Sequence, residues 1–124
     1  MKIDLPGVAE DGTAEAVGPD IRFTFEHRGQ AFVRMRVSWD IDKQPIIHPL
    51  PSGNPGQPQP RTLDPGRYLV SVRVQATDLP GLPNATINSD LFINGKRVLT
   101  ATGKVPDKDP KADVDGALFF LIVS

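Results

Sequence analysis

Tyr68-Leu69-Val70-Ser71-Val72-Arg73-Val74-Gln75-Ala76-Thr77 is the stretch that decides the fold class. A strand sends successive side chains to opposite faces. Tyr68, Val70, Val72, Val74 and Ala76 therefore share an apolar face, opposite Leu69, Ser71, Arg73, Gln75 and Thr77. Asp64-Pro65-Gly66 supplies a turn before the run, and Pro80, Gly81 and Pro83 break the chain after it. No helical period fits a stretch written this way.

The same alternation extends outward. Upstream, Ile21, Phe23 and Phe25 interleave with Arg22, Thr24 and Glu26, and Val33, Met35, Val37 and Trp39 with Phe32, Arg34, Arg36 and Ser38. Joined as a hairpin with an odd loop, these runs pair Phe25 with Val33, Phe23 with Met35 and Ile21 with Val37. A one-residue slip would flip every side chain, so the odd loop is the expected one, with Gly29 supplying a positive φ or a bulge. Downstream, Asn94-Gly95 predicts a two-residue type I′ turn between residues 86–93 and 96–102. Its simple register sets Leu91 against Val98 and Ile87 against Thr102. Pro65-Gly66-Arg67-Tyr68-Leu69-Val70-Ser71-Val72 resembles the opening of a core strand in many sandwich domains, and Phe92-Ile93-Asn94-Gly95-Lys96 is similarly widespread in hairpins. Both mark architecture and carry no function.

At the ends of the chain, residues 2–5 and 14–17 read as short strands, and residues 105–116 as an acidic, proline-containing loop. The chain then closes on Ala117-Leu118-Phe119-Phe120-Leu121-Ile122-Val123, a strand apolar on both faces. Thirteen prolines and eleven glycines punctuate β-branched and aromatic runs about every ten residues. The expectation is an all-β, antiparallel β-sandwich, immunoglobulin-like or jelly-roll, of seven or eight strands with little or no helix. It forms one domain over residues 1–124, with a proline-rich loop at residues 44–66 inside it.

Composition narrows the function classes. A formal charge of −1 lacks the basic excess of a dedicated nucleic-acid binder, and the absence of cysteine excludes disulfides and thiolate metal sites. The final apolar run is too short to span a bilayer, and Met1-Lys2-Ile3-Asp4-Leu5-Pro6 lacks the apolar core of a secretory signal. A cytoplasmic protein, or one released without a signal peptide, is expected, with neither nucleic acid nor membrane as partner.

Four groups of residues are candidate sites. The two-faced last strand points to association, with Phe119, Leu121 and Val123 as interface residues and Phe32 and Phe92 behind them. If the strand turns its other face outward, Phe120 and Ile122 take that role. Arg22, Arg34, Arg36 and Arg73 form a second group, because the expected hairpin gathers their guanidinium forks on one face, where they suit an anion. Asp107, Asp109, Asp113 and Asp115 before Gly116 offer the hard oxygens that calcium prefers, although Lys104, Lys108 and Lys111 dilute their charge. Pro55-Gly56-Gln57-Pro58 formally matches a motif for aromatic-lined grooves. Catalysis finds little: His27 and His48 are the two histidines, with no nucleophile elbow or zinc-protease motif beside them, and Trp39 ends an inward-facing run.

The leading expectation is a non-enzymatic protein-interaction or assembly module, a homo-oligomer joined through its C-terminal strand or a partner of another protein. The alternative is a lectin-like module for a sugar or an anion, assisted by calcium at the aspartates.

Overall fold

The computed structural model describes residues 1–41 and 59–124, with the side chains of Asp40, Ile41 and Gln59 left aside. His48 and the Pro55–Pro58 motif lie outside the described residues. Among the described residues nine strands follow one another: β1 (Lys2–Asp4), β2 (Thr13–Ala16), β3 (Asp20–His27), β4 (Phe32–Ile41), β5 (Gln59–Thr62), β6 (Gly66–Thr77), β7 (Thr86–Ile93), β8 (Lys96–Lys104) and β9 (Ala112–Val123). There is no helix among the described residues.

The strands form two sheets, one ordered β1-β8-β7-β3-β5 and the other β2-β9-β6-β4. Among the described residues every pairing of these strands is antiparallel except β2 with β9, which is parallel. A single buried cluster draws side chains from both sheets, including Phe23 and Leu91 from the first and Val72 and Leu121 from the second. Phe23 on β3 stacks on Trp39 on β4, with ring centroids 5.7 Å apart and planes 11° apart. Such a stack contributes about 0.5–1.5 kcal/mol beyond the area it buries.

Strand β6 follows the alternation read from its sequence: Tyr68, Val70, Val72, Val74 and Ala76 are all buried. The pairing of β3 with β4 is different from the hairpin expected. β3 pairs with β5 and β7, whereas β4 pairs with β6 in the other sheet. The connection between them bonds sideways, with Arg28 N–H donating to Asn88 O, and Gln30 and Ala31 N–H both donating to Thr86 O. Both runs still bury their apolar faces, because alternation demands a core on one side without naming the neighbouring strand. Gly29 is not among the positive-φ residues; it is required for space, since a Cβ there would collide with the Thr86 carbonyl.

Two smaller differences concern register and boundaries. The Asn94-Gly95 turn forms with both residues at positive φ, 49° and 79°, as type I′ geometry needs. A β-bulge after Leu91 then pairs Leu91 with Leu99 and Ile87 with Gly103, one residue beyond the simple register. Val98 and Leu99 are both buried as a result. Within the segment read as a proline-rich loop, residues 59–62 form β5 on the edge of the first sheet, where Pro60 is tolerated. Strand β9 also starts earlier than expected, at Ala112, and absorbs Asp113 and Asp115.

Candidate functional site

Pairing fixes which β9 side chains turn inward. Tyr68 faces Leu121 and Val70 faces Phe119, so these residues and Val123 join the core, each 3 % exposed or less. Phe119, Leu121 and Val123 were the expected interface residues, and burial within their own fold leaves them no surface to offer another chain. The solvent side of β9 is the other one: Leu118 is 64 % exposed, and Phe120 and Ile122 are half-buried. Phe32 and Phe92 lie on different sheets, the first 51 % exposed on β4 and the second half-buried on β7 beneath Arg97.

The arginines are also redistributed. Arg22 sits on β3 in the five-stranded sheet, apart from Arg34 and Arg36 on β4 and Arg73 on β6. Arg36 and Arg73 are direct cross-strand partners, and Arg34 pairs with Gln75 one row away. Among the described residues no carboxylate lies within ion-pair distance of Arg34, Arg36 or Arg73.

Asp107, Asp113 and Asp115 are drawn to separate partners. Among the described residues no three His, Asp or Glu side chains converge to hold an ion. Asp113 is taken by the Met1 ammonium, and Asp107 lies 3.9 Å from Lys111. Asp115 accepts the Gly116 N–H at 2.7 Å. Strand geometry is the reason: Asp113 and Asp115 stand on β9, so the compact turning loop that calcium needs is not formed.

Several other polar groups hold contacts within the fold. His27 Nδ1 and the buried Ser89 Oγ share a 2.8 Å hydrogen bond. Asp90 is 1 % exposed beneath Arg28, which bonds its Oδ2, and Arg97, whose Nε lies 3.6 Å from Oδ1. Trp39 is buried on Phe23, so its ring offers no open face to a sugar. The Tyr68 hydroxyl donates to the Asp64 carbonyl at 2.7 Å, and burial followed by the Asp64 charge holds its pKa above the ordinary value. Asp11 is held below the usual carboxylate range by hydrogen bonds from the Thr13 hydroxyl and backbone.

What the fold does assemble is one distinctive surface, the outer face of the four-stranded sheet. It carries Phe32, Arg34 and Arg36 from β4, Leu69, Arg73 and Gln75 from β6, and Val114, Leu118, Phe120 and Ile122 from β9. Among the described residues, the large apolar ones that stay exposed are Val17, Phe32, Leu79, Val114 and Leu118, and all but Leu79 lie on this face or at its rim. Sequence reading missed the face because β4 and β9 are separated by seventy residues of chain and meet only through β6. No helix among the described residues is long and apolar enough to cross a membrane. Compared with known protein families, curated proteins and solved structures, the chain finds no match.

Proposed function

We propose that the chain is a non-enzymatic protein-interaction module, a β-sandwich that self-associates through the solvent side of its last strand. The observation that carries this reading is the patch formed by exposed Leu118 and Val114 with half-buried Phe120 and Ile122 on β9, extended by Val17 beyond the neighbouring β2. Exposed apolar surface gathered on one face marks association. Covering a side chain such as Leu118 contributes about 1–2 kcal/mol at ~25 cal/mol per Å². Closed two-fold contacts are the commonest solution for identical chains, and here they set β9 of one copy against β9 of the other. The non-enzymatic part is supported by the structural partners already taken by Asp90, Asp113 and the His27–Ser89 pair.

Light scattering behind a sizing column tests the proposal. A dimer that Leu118→Glu converts to monomer without loss of folding is the expected result. A monomer at high protein concentration overturns self-association.

A further inference from the structure

Strand β4 ends the sheet order of the four-stranded sheet, with ten residues, and among the described residues no strand pairs with its outer edge. Half of the backbone N–H and C=O groups of such a strand point away from their one neighbour, which makes it a template for a further strand. Its solvent side at this end presents Phe32, Arg34 and Arg36, backed by Gln75, Thr77 and Arg73 on β6. Phe32, Arg34, Gln75 and Thr77 line a hollow of about 200 Å³, and the Arg34 guanidinium lies 5.7 Å from the Phe32 ring centroid.

The charge on this corner is one-sided. Arg36 stands directly opposite Arg73, an arrangement that opposes like charges. Gly116 follows in the same row on β9, so no side chain shields Arg73 from that direction. No described carboxylate is within ion-pair distance of Arg34, Arg36 or Arg73.

We infer that the β4 edge takes an extended acidic segment of a partner protein as an added strand. Its backbone pairs with β4, and its alternate carboxylates reach Arg34 and Arg36. Main-chain bonds supply affinity in this mode and alternate side chains supply specificity. A second copy of the chain is disfavoured, because antiparallel pairing of two β4 edges would add Arg-to-Arg contacts. The inference is independent of self-association, since β6 separates β4 from β9 by two strand spacings, about 10 Å.

The test uses a short labelled peptide alternating Glu with Val, read by fluorescence anisotropy at low and moderate salt. Saturable, salt-sensitive binding is expected, with affinity about tenfold lower for Arg36→Ser. A peptide with Lys in place of Glu, and one N-methylated at alternate amides, are expected not to bind. Leu118→Glu is expected to leave the affinity unchanged, whatever it does to oligomeric state. Arg36 is exposed, so the serine variant keeps its fold, which a thermal melt verifies. No saturation with the Glu peptide overturns the inference, as does equal binding by the Lys or N-methylated peptide. So does an Arg36→Ser variant of unchanged affinity, or loss of binding in Leu118→Glu. Heparin that binds the wild type and Arg36→Ser equally, and displaces the peptide from both, reveals a general polyanion response and also overturns it.

Discussion

Arg36 meets Arg73 across the β4–β6 pair with no described acid beside either. Opposed like charges cost some stability, reduced by solvent at an exposed site. Arg36→Ser is therefore expected to stabilise the fold by about a few tenths of a kcal/mol, read as a slightly higher melting temperature, and more at low salt than at high. A lower melting temperature would mean that the guanidinium has a stabilising contact. Asp90 behaves in the opposite way, because its carboxylate is buried and relies on Arg28 and Arg97. Arg28→Ala strips it of its closer partner and is expected to cost about 1–3 kcal/mol in chemical denaturation. Tyr68 adds a pH dependence. Its pKa is raised in the folded chain above the ordinary 10.0, so the unfolded chain loses this proton first as pH rises. The contribution is complete below pH 10.0 and disappears as pH climbs through the raised folded value. Tyr68→Phe is expected to flatten the alkaline part of the stability profile while losing the hydrogen bond to Asp64.

At the scale of elements, β9 makes the clearest claim. Its neighbours Leu118 and Phe119 differ by one position in sequence and by the whole thickness of the sheet in surroundings. Phe119→Ala is expected to destabilise by about 3–5 kcal/mol, the usual cost of emptying a buried aromatic site. Leu118→Ala is expected to stay within about 0.5 kcal/mol at protein concentrations low enough to keep the chain monomeric, as exposed positions do. Equal losses at the two sites, measured by denaturant titration, would contradict the inward face assigned to the strand. The sequence of this element announced a strand apolar on both sides, yet could not rank the sides, because Phe, Leu and Ile appear on each. The Asn94-Gly95 turn was legible from two residues, since few others adopt positive φ in succession. The bulge beside it was not legible, because burying Val98 together with Leu99 depends on packing beyond the hairpin.

For the whole molecule, the sole tryptophan is a built-in reporter of contact between the sheets. Trp39 on β4 stacks on Phe23 on β3, and these strands belong to different sheets. Unfolding as one cooperative unit predicts that the Trp39 emission change and the loss of far-UV circular dichroism coincide in denaturant. An earlier tryptophan transition would mean that the sheets part before their strands dissolve.

The sequence by itself determined the strands other than β5 and the opening residues of β9, the inward faces of β3, β4 and β6, and the tight turn before β8, because these are written in a period of two or in the φ demands of two residues. Only the tertiary structure decided that β3 and β4 enter different sheets, that β2 runs parallel to β9, and that Leu118 rather than Phe119 faces water. It also decided that Arg34, Arg36 and Arg73 share a surface from which Arg22 is excluded. The physical reason is that alternation is a local property of a strand, whereas the choice of neighbour is settled by long-range pairing and by which faces fill the common core.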